Sequence, residues 1–168
     1  MVILTIATEW AKAEVFSTRF FIFFALVFLS TSFGFWQLGK TELAKAYILP
    51  MLVSGLLLMT IGIGLFFTNK SRLTQFENAY NSNKIAFFQS EIERSESTLK
   101  EYKVVFKVIP VLIIFAALLI LFIDTPIWRA ISITTIAMLI VILIVDGNAH
   151  ARIEAYNTEL KLMNIKNQ

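Results

Sequence analysis

Ala46 to Asn69, AYILPMLVSGLLLMTIGIGLFFTN, runs 24 residues without a charged side chain. The hydrocarbon core of a bilayer is about 30 Å thick, and a helix of about 20 apolar residues crosses it with every backbone polar group satisfied internally. Outward from this stretch lie three more: Phe20 to Gly39 with 20 uncharged residues before it, and Val108 to Ile123 and Ala130 to Val145 with 16 each after it. The reading is an all-α membrane protein with four transmembrane helices, forming a single membrane domain over 1–168. The chain is 57% hydrophobic with a mean hydropathy of +0.72, well above the roughly 45–50% apolar content of soluble domains.

Sixteen residues of helix reach only about 24 Å, so the third and fourth spans need their flanks. The four spans are expected at about 17–37, 46–68, 104–123 and 127–145, with Lys107 and Arg129 lying along their helices and snorkelling to the interface. Between the last two, Thr125 can cap the helix that Pro126 opens, and Trp128 suits the interface. Interfacial anchoring accounts for Arg129. The functional alternative is that Asp124 and Arg129 set the charge at an outer pore mouth.

Lys12, Arg19, Lys70, Arg72, Lys84, Arg94, Lys100, Lys103, Lys107, Arg152, Lys161 and Lys166 fall on one side of these spans, and Lys40, Lys45 and Arg129 on the other. The positive-inside rule therefore predicts both termini and the long middle segment in the cytoplasm. No A-x-A-like cleavage site precedes the first span, which is expected to remain in the mature protein. A formal charge of +3 is mild and mixed, and Lys100, Tyr102 and Lys103 are interleaved with Glu91, Glu93, Glu96 and Glu101, a pattern that argues against nucleic acid as a partner. Without cysteine there is no disulfide, thiol nucleophile or thiolate metal site.

The cytoplasmic segments are expected to form helices over about 71–103 and 147–164. Ile85, Phe88, Ile92, Ser95, Leu99, Tyr102 and Phe106 recur at alternating spacings of three and four, the seam of a coiled coil. Ala149, Ile153, Tyr156, Leu160 and Met163 repeat the pattern after the fourth span, so the two extensions can continue the last transmembrane hairpin as an antiparallel stalk. Phe88, Ile92, Leu99, Tyr102, Ile153, Tyr156 and Leu160 are the expected assembly residues. Leu73, Phe76 and Tyr80 make a similar stripe, and QFENAYN at Gln75 to Asn81 is echoed by ARIEAYN at Ala151 to Asn157, hinting at two helical hairpins in tandem. Asn78, Asn81, Ser82 and Asn83 mark a break between the exit helix and the heptad helix.

Asp146, His150 and Glu154, at i, i+4 and i+8, are the best chemical constellation, a candidate metal or proton-transfer face. An ordinary polar helix face explains them as well, and His150 could alternatively sense pH. No HExxH pattern, GxSxG elbow or phosphate-binding glycine loop is present, so neither an enzyme nor a cofactor or metal is assigned. Gly55, Thr60, Gly62 and Gly64 put small side chains into the second span, with Thr60 and Gly64 in a small-xxx-small relation that permits close helix packing within the chain or between subunits. The hydroxyls of Ser30, Thr31, Ser32, Ser132, Thr134 and Thr135 either bond back to helix carbonyls or line water. No charged residue sits at the centre of a span, which disfavours ion-coupled transport and leaves a channel possible.

The order helix, span, tight turn, span, helix from Ser90 to Met163, with the tail HARIEAYNTEL, resembles the SLATT group of small bacterial membrane proteins. That resemblance covers under half the chain, and those proteins typically have two spans rather than four. It implies a pore-forming effector of a nucleotide-linked defence system, with a cytoplasmic protein or nucleotide-type signal as trigger. The four-pass layout also looks like membrane subunits of antiphage operons such as Kiwa. The expected function is a homo-oligomeric, cytoplasmically controlled pore, ion channel or membrane-disrupting effector in antiviral defence, with a tetramer as the default closed assembly. The alternative is a membrane immunity or accessory protein that binds a toxin or another membrane protein.

Overall fold

The computed structural model describes residues 2–166. Four long helices, α1 (Val2–Leu38), α3 (Ile48–Ser82), α4 (Lys84–Phe122) and α5 (Pro126–Lys166), account for nearly all of them, with one short helix, α2 (Glu42–Ala46), between the first two. The long helices have 37, 35, 39 and 41 residues, or about 50–60 Å each. All four are long and apolar enough to cross a membrane. Each exceeds a hydrocarbon core by about 20–30 Å, and the polar excess gathers at the end where α1 begins and α5 finishes, called here the basal end.

Local chemistry sets the breaks. A Cβ at Gly39 would stand 2.3 Å from the Phe35 carbonyl oxygen, so the turn that closes α1 accepts only glycine. Thr41 caps α2 by accepting from the Ala44 N–H at 3.1 Å. Asn83 separates α3 from α4 and accepts from the N–H groups of Ile85 and Ala86, both at 3.1 Å, as expected of an Asn N-cap. α4 ends in extended backbone at Ile123, and after Asp124 and Thr125 the ring of Pro126 opens α5 in the first-turn position where its missing N–H costs nothing. Pro110 sits inside α4, where it removes one backbone bond.

Two hairpins result, α1 against α3 and α4 against α5, with α5 joining them by packing on α1 and α3. Gly55 and Gly62 produce the close fit of the first hairpin: a Cβ on Gly55 would lie 2.8 Å from Leu29 Cγ, and one on Gly62 would lie 2.9 Å from Ile22 Cγ1 and 3.2 Å from its backbone N. The apolar half has a core of Phe21, Ala25, Phe28, Leu58, Val141 and Val145, from α1, α3 and α5. The apolar part of α4 stays outside this core and exposes Val108, Val111, Ile114, Phe115 and Leu118. α3 and α4, although consecutive, barely touch.

At the basal end all four helices share a second core: Ala7, Trp10 and Ala11 from α1, Phe76 and Tyr80 from α3, Phe87 from α4, and Ile153, Tyr156 and Leu160 from α5. Instead of a two-helix stalk, the chain builds a four-helix bundle. The unforeseen member is the start of α1, which begins at Val2, far ahead of the expected start of the first span at 17. The tyrosines of the two similar heptapeptides, Tyr80 and Tyr156, are both buried in this core.

Candidate functional site

Ala7, Trp10, Ala11, Glu14, Ser17 and Phe21 stand at i, i+3, i+4, i+7, i+10 and i+14 on α1, so they line one helical face. Ala7 and Ala11 are fully buried, and their small side chains admit the neighbouring helices. Trp10 enters the centre of the bundle and stacks on Tyr156, with ring centroids 5.4 Å apart and planes 18° apart. The Arg94 guanidinium lies 4.2 Å from the Trp10 ring centroid, a desolvated cation–π geometry.

Arg94 donates from Nε to Glu91 Oε1 at 3.0 Å, and its Nη2 also contacts Glu91 Oε2. The Tyr156 hydroxyl donates to Glu91 Oε2 at 2.7 Å. Glu91 is only 4% exposed. A buried ion pair repays the desolvation of both charges only when its remaining polar sites are satisfied, and here the carboxylate is better served than the guanidinium. Arg94 Nη1 and Trp10 Nε1 are buried with no partner among the described residues. Burial, with the adjacent Glu91 carboxylate, pushes the Tyr156 pKa up, so its hydroxyl remains a neutral donor. Nearby, Asn157 Nδ2 donates to Ser95 Oγ at 2.7 Å, which explains the one polar member of the heptad seam.

Towards the apolar half, Arg152 donates from Nε to Glu14 Oε1 at 3.0 Å and from Nη2 to Ser17 Oγ at 2.7 Å. Arg72 donates to Asn69 Oδ1 at 2.7 Å. Burial, followed by repulsion from Arg94, lowers the Arg72 pKa. Beside these groups a cavity of about 540 Å³ lies between α1, α3, α4 and α5, at the level where the apolar segments give way to the bundle.

Asp146 lines this cavity, whereas the His150 ring meets Tyr102 and Phe106 edge-on, at 5.6 and 5.4 Å. Glu154 is exposed. Successive i+4 steps drift around a helix because 3.6 residues make a turn, and the three groups do not converge. Among the described residues no set of three His, Asp or Glu side chains is placed to hold a metal. Asp124 and Arg129 pair with each other at 2.8 Å across the exposed α4–α5 turn. Ile153, Tyr156 and Leu160 lie in the basal core, with Phe88, Ile92, Leu99 and Tyr102 packed against it, so these faces are occupied within one chain.

Gly55 and Gly62 face α1, while a Cβ on Gly64 would meet nothing within 4 Å. Thr60 bonds back to the Leu56 carbonyl at 2.9 Å, as Thr31 does to Val27 at 2.8 Å. Ser32 instead crosses to the Ile48 carbonyl of α3 at 2.7 Å, and the buried hydroxyls of Ser132 and Thr134 find no partner among the described residues. Sequence reading missed Trp10, Glu14, Arg72, Glu91 and Arg94 as a group. The available signal was the spacing of Ala7, Trp10, Ala11 and Glu14 ahead of the first span.

No protein-family model, curated protein or solved structure matches the chain.

Proposed function

We propose that the chain is a four-pass protein of the bacterial inner membrane, with both termini in the cytoplasm, whose copies assemble into a pore or membrane-disrupting effector controlled through the basal bundle. The observation that carries this reading is helix continuity: α1, α3, α4 and α5 each run unbroken from the bundle into the apolar half. A repacking in the bundle therefore tilts or rotates the spans as rigid levers, a packed core being a set of discrete arrangements rather than a soft joint. The far end has only turns and α2, which leaves the bundle as the place where a protein or nucleotide-type signal acts.

The core cluster between the spans of one chain is made of Phe, Ala, Leu and Val side chains, with the buried hydroxyls of Ser32, Ser54, Ser132 and Thr134 elsewhere in the spans, and the conducting path is assigned between copies. The uncovered apolar face of α4 is available for that contact. The reading carries no catalytic step, and the layout of Ser90 to Met163 supports a role in antiphage defence. The test is the mass of the detergent-purified protein by light scattering, with detergent subtracted, followed by ion or dye release from vesicles containing it. A discrete closed oligomer, with a tetramer as the starting expectation, that releases the probe supports the proposal. A monomer that leaves the vesicles sealed overturns it in favour of an immunity or accessory protein.

A further inference from the structure

The cavity between the helices has a divided lining. Phe21, Ile61, Leu65 and Ile142 face it from the apolar half, and Arg72, Glu101 and Asp146 from the basal side. Its volume of about 540 Å³ falls within the roughly 300–1,000 Å³ of small-molecule sites. Thr60, Ile61, Gly64 and Leu65 of α3 and Glu101 of α4 are exposed, so the cavity opens sideways between the two helices that barely touch. The space above Gly64 is empty of other side chains, leaving a route from the cavity to the lipid.

Three charged residues of the lining, Arg72, Glu101 and Asp146, form no ion pair among the described residues. Arg72 bonds to Asn69 and lies 5.7 Å from the Trp10 ring centroid, yet forms no ion pair among the described residues. Asp146 is half-buried and has neither a hydrogen bond nor an ion pair among them. Trp10 lines the same cavity and is 8% exposed, but its partnerless Nε1 is itself buried. Glu14, by contrast, is taken by Arg152. One cation faced by two carboxylates, of which Asp146 is the less exposed, makes the wall of this membrane-level cavity complementary to a ligand that carries both charges and a hydrocarbon tail.

We propose that this cavity binds the head of a zwitterionic phospholipid with a primary amine, its phosphate towards Arg72, its ammonium towards Asp146, and an acyl chain leaving between α3 and α4. A primary ammonium donates hydrogen bonds to a carboxylate and a trimethylammonium does not. The Trp10 ring, the natural seat for a quaternary amine, is already stacked against Tyr156 and Arg94. This site is independent of whether the chain forms a pore.

The test is native mass spectrometry of the full chain, released from micelles containing phosphatidylethanolamine, phosphatidylcholine and phosphatidylglycerol of equal chain length. Unaltered protein should retain phosphatidylethanolamine over each of the others by about tenfold, the effect of about 1.4 kcal/mol of head-group recognition. Asp146→Asn should abolish the preference. Arg72→Gln should weaken retention of all three alike, because they share the phosphate. Equal retention by the unaltered protein overturns the proposal without recourse to any variant, and so does a preference that survives Asp146→Asn in protein with unchanged helicity. Displacement of the lipid by free phosphoethanolamine at equal concentration would identify a small soluble zwitterion as the occupant and overturn the lipid assignment.

Discussion

Two glycines of α3 separated by a single residue have opposite surroundings. Gly62→Ala pushes a methyl group to within about 3 Å of Phe21 and Ile22 and should destabilise the protein by about 1–3 kcal/mol, the usual cost of overpacking. Gly64→Ala meets open space and should leave stability unchanged or raise it by up to about 1 kcal/mol, the helix-propensity difference. Titration with a denaturing detergent, read by helicity, separates the two. The Glu91–Arg94–Tyr156 cluster makes a second prediction. Arg94→Ala strands a buried carboxylate and should cost about 3–5 kcal/mol, whereas replacing Glu91, Arg94 and Tyr156 together by Leu, Met and Phe should be nearly neutral or stabilising. A triple variant as unstable as Arg94→Ala would refute that account. The sequence revealed small residues in the second span and charges on the heptad helix, but which glycine touches a neighbour depends on how α1 crosses α3.

Among elements, the start of α1 contributes Ala7, Trp10 and Ala11 to a core that it shares with α3, α4 and α5. Trp10→Ala should therefore cost about 3–5 kcal/mol and open the bundle, with new protease cleavage around Asn83, where α3 gives way to α4. Leu99→Asp combined with Tyr102→Asp should lower the melting temperature of each single chain, because both side chains pack on that same core. Dissociation of an oligomer with no loss of thermal stability would place them at an interface between subunits. The exposed Glu96–Lys161 pair, 2.8 Å apart, makes a contrast. Its hydrogen bond and charge attraction lower the Glu96 pKa, so any stabilisation is present above the ordinary carboxylate range and fades as the pH falls through it. Exposed pairs contribute little, and Glu96→Gln should leave the melting temperature within experimental scatter. The heptad spacing was legible as a helix with one apolar face, yet it could not say whether that face met a second copy or three other helices of its own chain.

For the whole molecule, the arrangement of charge makes orientation testable in an unusually clean background, since the chain has no cysteine of its own. Single cysteines at Lys40 and at Ser97 should label from opposite sides of intact inner-membrane vesicles, with Ser97 accessible from the cytoplasmic face. Labelling of both from one side would refute the four-pass topology, and the inverse pattern would refute the proposed orientation. Helix continuity adds an expectation for the pore reading: a cross-link that holds α1 against α4 in the bundle should lock the release activity of vesicles in one state, open or closed, because the spans are extensions of the same helices.

The number of candidate spans, the tight turn at Pro126, the break at Asn83 and the split of charge between the two ends follow from local composition. Hydrocarbon thickness, backbone sterics and capping act on a few consecutive residues and can be read from them. What brings Trp10 to Arg94, Tyr156 to Glu91, and Arg72 and Asp146 to one cavity wall is decided only in the tertiary structure. Those contacts join residues far apart in the chain, and they depend on the crossing and axial register of four long helices, which side-chain packing sets and a one-dimensional pattern of apolar positions does not encode.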